Sequence, residues 1–163
     1  MSLHPDLQAY LQGLSDDVIL LGVNVSGGNI DMWFTDQLYD FSAVIDGQSV
    51  ELVARACMAP WPKRLGNGDF SSQVSIDNVD NVLTAPLMAL GFSELNVDLY
   101  LFLESHLKAL GSLVEPVAVM PFRSREAIPG IVAQFDCRRP DIINKKFPID
   151  IYEPDKYPGL EQS

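Results

Sequence analysis

"DVILLGVNVSGGNIDMWFT", residues 17–35, is the stretch on which the fold turns. Residues 17–25 form a short apolar run rich in β-branched side chains, the composition of a largely buried strand. Ser26-Gly27-Gly28-Asn29 is a turn signal, because glycine takes positive φ without steric cost. Apolar-polar alternation resumes in "IDMWFT" (30–35), so the stretch predicts a β-hairpin.

Outward from this hairpin the same pattern recurs. "VIDGQSVELVARACMA" (44–59) holds Asp46-Gly47, a hairpin dipeptide, followed by a long strand. Val50, Leu52, Ala54, Ala56 and Met58 share one face of it, Glu51 and Arg55 the other. "SSQVSIDN" (71–78) predicts another strand. "LNVDLYLFLESHL" (95–107) is the clearest, with Val97, Leu99, Leu101 and Leu103 opposite Asp98, Tyr100, Phe102 and Glu104. The second face is aromatic as well as charged, which suits a surface half-covered by something else. "PVAVMPF" (116–122) and "GIVAQFDCR" (130–138) complete the sheet, linked by "RSREAIP".

Helices are few. "PDLQAYLQGL" (5–14) places Leu7, Tyr10, Leu11 and Leu14 on one face, with Pro5 and Asp6 suited to its first turn. It is too short to stand alone and must dock. Residues 79–91 predict a short helix, limited by Pro86 and closed by Gly91. The loop "APWPKRLGNGDF" (59–70) presents Trp61 between two prolines. The sum is a mainly β chain, a compact β-sandwich or barrel-like domain over 16–146. A short N-terminal helix (1–15) precedes it, one helix lies within it, and an extended arm (147–163) follows. βαβ alternation, GxGxxG and the P-loop are all missing, which argues against nucleotide-binding folds.

The 163 residues are 47% hydrophobic, ample for one core, and carry a net charge of −11. The only basic clusters, at 63–64, 123–125, 138–139 and 145–146, are short and dispersed, so specific nucleic-acid binding is not expected. No apolar run reaches a membrane span, and the N-terminus lacks the charge and hydropathy pattern of a signal peptide. The expectation is a protein made in the cytoplasm that does not insert into membranes.

Catalytic chemistry is hard to assemble from these residues. His4 and His106 have no nearby Ser, Cys or Asp motif, and nothing in the sequence brings the two together. Cys57 and Cys137 form no CxxC pair and are expected as buried thiols, although Arg138 and Arg139 beside Cys137 could lower its pKa. Asp77, Asn78, Asp80 and Asn81 could cap a helix or hold calcium, and capping is the simpler use. Asp36 and Asp40 could be paired carboxylates but suit a turn better. No enzyme, metal or cofactor is expected.

The distinctive feature is the ending, "FPIDIYEPDKYPGL" (147–160). Each X-Pro step biases the preceding residue toward extended backbone, so a semi-rigid strap is expected. Phe147, Ile149, Ile151, Tyr152, Tyr157 and Leu160 give it too much apolar surface to leave in water. It packs either on its own sheet or on a neighbouring subunit. The phrase, ending in Tyr157-Pro158-Gly159-Leu160, resembles the C-terminal signature of the DUF1833 family of tailed-bacteriophage minor tail proteins. "WFTDQLYDFSAVIDGQSVELVARACMA" (33–59), "SSQVSIDNVDNVLTAPLMAL" (71–90), "VDLYLFLES" (97–105) and "VAQFDCRRPDIINKKFP" (132–148) are similar to its earlier segments. The likeness spans about residues 30–160, and the first thirty depart from it.

This resemblance implies a structural component of the tail tip or baseplate hub of a long-tailed phage. Such a chain is made in the host cytoplasm and ends in the virion. It implies a homo-oligomeric ring, a trimer or hexamer, contacting neighbouring tail-tip, tube and hub proteins. DNA would pass through without specific binding, repelled where acidic groups line the channel. The two cysteines do not match the four-cysteine iron–sulfur cluster of some longer tail-tip proteins, so no cluster is expected. Interface residues are then expected at Trp61, Tyr100 and Phe102 and in the arm at Phe147, Tyr152, Tyr157, Pro158 and Leu160, since aromatics are enriched at interfaces. Two rivals remain: a carbohydrate- or receptor-binding β-sandwich of the tail, and a small tail-associated hydrolase.

Overall fold

The computed structural model describes residues 4–66, 69–90, 95–110 and 113–139. The chain is mainly β. Helix α1 (Pro5–Leu11) leads into strands β1 (Ile19–Gly27) and β2 (Ile30–Thr35), which pair antiparallel about Gly28-Asn29 as the opening stretch predicts. Gly28 has φ +57, the left-handed conformation the turn requires. Strands β3 (Phe41–Ile45) and β4 (Gln48–Ala54) form a second hairpin. Its turn residues Asp46 and Gly47 have φ 51 and 78, both positive, as a two-residue hairpin of this twist demands. Then follow β5 (Cys57–Met58), β6 (Lys63–Arg64), β7 (Phe70–Asp77), α2 (Thr84–Ala89), β8 (Leu95–Leu103), α3 (Glu104–Leu110), β9 (Ala118–Ile128) and β10 (Val132–Arg139).

Four boundaries differ from expectation, each for a local reason. The 95–107 strand stops at Leu103, and α3 begins at once. Glu104 and Lys108 form an i,i+4 ion pair of 2.9 Å there, and Leu107 is buried against the sheet. The helix expected over 79–91 is confined, among described residues, to Thr84–Ala89, because residues 78–81 are folded into a turn with Asn81 at φ 60. The linker "RSREAIP" is mostly strand, since Arg123 to Ile128 extend β9 along β10. The long strand over 44–59 is interrupted at Arg55-Ala56.

That interruption closes the fold. The sheet runs β3-β4-β2-β1-β8-β9-β10-β7-β5, with β6 also on β7. Val53 and Ala54 pair in parallel with Phe34 and Thr35 of β2, at one end of the run. Cys57 and Met58 pair with Ile76 and Ser75 of β7, at the other end. Between them the Arg55 N–H donates to the Thr35 carbonyl (2.9 Å), and the Asp77 N–H donates to the Ala56 carbonyl (2.8 Å). Six residues thus bridge both ends of a six-strand run, and the sheet curls into a barrel-like body. Its inner face is one core, with Val23, Val25, Phe34, Val74, Ile76, Leu95, Val97, Leu99, Phe122 and Phe135 in a single cluster. Curling abolishes most exposed sheet edges.

Arg55 fastens the seam. Its guanidinium makes a bidentate pair with Asp80, at 2.7 Å to each oxygen, and donates to the Asp77 carbonyl at 3.1 Å. It also lies 5.6 Å from the centre of the Phe34 ring. Arg55 holds the Asp80 carboxyl down at about 2.

The two ends and the outside of the barrel are covered differently. Leu83 and Leu87 join the main core near the β1–β2 turn, while Leu7 of α1 seals the far end against Leu101, Leu103 and Val117. Outside, the β3–β4 hairpin and α3 lie across β1 and β8. Leu20, Phe41, Leu52, Tyr100, Phe102 and Leu107 form this second core. Gly22 faces it, and a Cβ there would meet Leu52 and Phe102 side-chain carbons at 2.8 Å. Tyr100 (7% exposed) and Phe102 (0%) are therefore core residues, correcting the expectation of an exposed aromatic face. The chain covers that face itself: Phe102 meets Phe41 edge-on at 5.5 Å, and Tyr100 meets Trp33 at 5.1 Å. The arm residues Phe147, Tyr152, Tyr157, Pro158 and Leu160 lie outside the described residues.

Candidate interaction surfaces

Trp61 is where the sequence places it, on the outside. The excursion 59–62 leaves β5 and returns through β6, and both strands pair with β7. The Ser72 hydroxyl, also on β7, donates to the Pro60 carbonyl at 2.8 Å. Pro60 and Pro62 restrict the backbone on either side, so the loop is pinned at three points while its indole is left 61% exposed. A small cleft of about 30 Å³ runs beneath it, lined by Leu21, Leu99, Leu101 and Met120 beside the loop. Met58, next in sequence to the loop, is also exposed. A rigid exposed indole on an apolar rim is what an anchor residue needs, because little entropy is lost on binding.

A second apolar surface was not foreseen. Asn78 is fully buried and joins two turns. Its carbonyl oxygen accepts from the Leu83 N–H (2.8 Å), and its amide donates to the Thr84 hydroxyl (2.8 Å) and the Gly130 carbonyl (2.9 Å). Its own N–H donates to the Ile131 carbonyl at 2.8 Å. The loop before α2 and the β9–β10 turn are thereby tied together, with Val79, Val82, Ile128, Ile131 and Val132 all exposed around the join. Asn78 was expected as a helix cap or a calcium ligand. It does not cap α2, whose N-cap is Leu83 and which has no side-chain cap; it accepts from the Leu83 N–H just before the helix, and its role as a junction depends on a residue 52 positions away. Nothing local in the sequence signals that.

The titratable groups are mostly engaged in structure. His4 and His106, which sequence gives no reason to associate, lie with ring centres 6.2 Å apart. Asp6 sits between them, 3.1 Å from His106 Nε2 and 3.6 Å from His4 Nδ1. Asp17 accepts from the Ser105 hydroxyl in a short hydrogen bond and from the Ser105 N–H at 3.1 Å. Partial burial raises the Asp17 pKa, but these Ser105 contacts outweigh it and hold the carboxyl below its usual range. Asp6, Asp17, Ser105 and His106 line a cleft of about 300 Å³ between α1 and α3. The Ser105 hydroxyl is given to a carboxylate and His106 faces Asp6, so the cluster joins α1, residues 15–17 and α3. Among the described residues, no group of three or more His, Cys, Asp and Glu is arranged to hold a metal ion.

Asp36 and Asp40 are likewise engaged with the backbone. Asp36 accepts from the Leu21 N–H and Asp40 from the Ala54 N–H. Both thiols are pushed up to about 12, chiefly by burial. Cys137 faces the core while Arg138 faces outward, so the arginine does not activate it, contrary to the sequence-based possibility. Among the described residues, no helix is long and apolar enough to cross a membrane. No family model matches the chain, and no curated protein matches it.

Proposed function

We propose that this chain is a structural building block of the tail tip or baseplate hub of a long-tailed bacteriophage. It assembles with copies of itself and with neighbouring tail proteins into a ring between the tail tube and the receptor-binding apparatus. The observation that carries the reading is the Trp61 loop, a proline-framed indole pinned on both sides to β7 and left exposed. The exposed apolar join around Asn78 supplies a second surface at another part of the barrel, as contacts to two different neighbours require. The resemblance of residues 30–160 to tail-tip proteins supports the same reading. The net charge of −11 suits a ring whose channel repels DNA.

The test is the mass of the assembled protein, alone and mixed with its neighbouring tail proteins, for the wild type and Trp61→Ala. The wild type is expected to enter a closed complex and the folded variant to be left out. A wild type that enters no complex removes the tail reading, and a variant that assembles normally removes Trp61 from the interface. A carbohydrate-binding role is the second reading, because an exposed indole over a cleft can stack on a sugar ring. Glycan-array binding by the isolated chain, lost in Trp61→Ala, would favour it.

A further inference from the structure

Two exposed loops share one flank of the barrel. The first joins β2 to β3 and reads Asp36-Gln37-Leu38-Tyr39-Asp40. Its own carboxylates fasten both ends: Asp36 Oδ1 accepts from the Leu21 N–H at 3.1 Å, and Asp40 Oδ1 from the Ala54 N–H at 2.6 Å. The second oxygen of each carboxylate has no hydrogen bond among the described residues. Between these anchors Leu38 is 99% exposed and Tyr39 51%. The loop thus holds an aliphatic side chain clear of its own subunit.

The second is the Trp61 loop, whose cleft of about 30 Å³ admits the tip of one aliphatic side chain and no ring. Lys63 follows it, exposed and without an ion pair among the described residues. Arg64 beside it is already engaged. Both loops are built on Leu21, whose N–H holds Asp36 and which also lines the cleft. Asp36 lies near Cys57 as well: after burial, its charge is what raises that thiol's pKa. The exposed Leu38 does not fill the cleft of its own chain. A two-fold axis through this flank exchanges the two loops, so that each copy offers the other a leucine and receives one. The same axis sets Asp36 and Asp40 of one copy against Lys63 of the other. Two chains of net charge −11 repel over most of their surfaces, and here opposite signs meet.

We propose that the cleft under Trp61 is the seat of Leu38 from a second copy of this chain, the two copies meeting reciprocally about a two-fold axis. The inference rests on the assembly reading of the Trp61 loop and names the partner there. A reciprocal contact joins copies in pairs, so of the two expected rings it selects the hexamer and not the trimer.

Sedimentation of the full-length chain over a range of concentrations tests the proposal. The wild type is expected to pair reversibly. Leu38→Ala and Trp61→Ala should each weaken pairing at least about tenfold, with Tm unchanged because both side chains are exposed. An equimolar mixture of the two variants should pair better than either alone. In the mixed pair the leucine of the Trp61→Ala copy meets the intact cleft of the Leu38→Ala copy, and one of the two contacts survives. Lys63→Glu should also weaken pairing, by setting like charges against Asp36 and Asp40. A wild type that stays monomeric overturns the proposal, as does either alanine variant pairing like the wild type, a mixture no better than its components, or full pairing by Lys63→Glu. The assembly reading is judged separately, by mixing with neighbouring tail proteins. A monomeric wild type that still joins their complex sinks the pairing alone, and a wild type that pairs but joins no complex sinks the tail reading alone.

Discussion

Replacing Arg55 by alanine should open the barrel at one identifiable place. The substitution removes a charge-assisted hydrogen bond to the Asp77 carbonyl and a guanidinium stacked near Phe34. A hydrogen bond to a charged group contributes about 1.5–3 kcal/mol, and a cation–π contact at a surface about 0.5–1 kcal/mol. Together they predict a loss of about 2–4 kcal/mol. For a chain of this length that lowers Tm by about 4–16 °C. The Asp80 pair is left out of this figure because its carboxylate is half exposed and solvent screens it. Asp80→Asn should therefore cost clearly less than Arg55→Ala. The pair's contribution is present above the ordinary carboxylate pKa and is lost only as pH falls toward the folded value of about 2. Urea unfolding gives the stabilities, and hydrogen exchange locates the opening. The amides of Arg55 and Asp77, which bond across the two sides of the seam, should accelerate before those of β1 and β8. Equal stability of Arg55→Ala and wild type, or uniform acceleration over the whole sheet, would refute the idea that residues 53–58 hold the barrel shut.

Three further outcomes are expected. Gly22→Ala should destabilise by about 1–3 kcal/mol through overpacking, because the new methyl meets Leu52 and Phe102, both fully buried. A Tm at or above wild type would show that this outer core yields. Cys57 and Cys137, both pushed up to about 12, should resist alkylation at pH 8 in the folded protein and react together on unfolding. Rapid labelling of either one in native buffer contradicts their burial. Burial raises the Asp98 pKa in the folded chain, so its stability contribution is greatest below the ordinary carboxylate pKa and falls as pH rises through the folded value. Asp98→Asn should thus be more stable than wild type at pH 7 and lose that advantage near pH 3. No gain at pH 7 would mean that Asp98 is better solvated than its position indicates.

Local chemistry made part of this legible. Gly28 and Asp46-Gly47 announce their turns because positive φ restricts which residues can serve. The β8 alternation was visible too, but not its consequence. Tyr100 and Phe102 looked like an exposed aromatic face because a single strand does not reveal what lies on it. The β3–β4 hairpin and α3 lie on it, brought there by tertiary packing. Residues 104–107, Glu-Ser-His-Leu, follow the strand with no turn signal to end it, and the docking of Leu107 and the Glu104–Lys108 pair favour helix there. Arg55, Asn78 and the His4–His106 approach were invisible for one reason. Their partners are 22 to 102 residues away, and no periodicity encodes such distances. Trp61 was readable because its prolines and its exposure are both local properties.

The way residues 53–58 fasten the sheet also sets an order of events on the ribosome. The clasp is made early in synthesis, but its second attachment, on β7 and Asp80, is translated about twenty residues later. Even then the clasp is, among the described residues, the one link between β7 and the β1–β2 hairpin. The rest of the wall between β7 and β1 is β10, β9 and β8, and β10 ends at Arg139. A nascent chain therefore carries two hairpins and an open seam until nearly all of the barrel has emerged. Its closure is a late, non-local step, of the kind that folds slowly and leaves unpaired edges exposed in the meantime. Truncation anywhere before β10 should yield an aggregating fragment rather than a smaller domain.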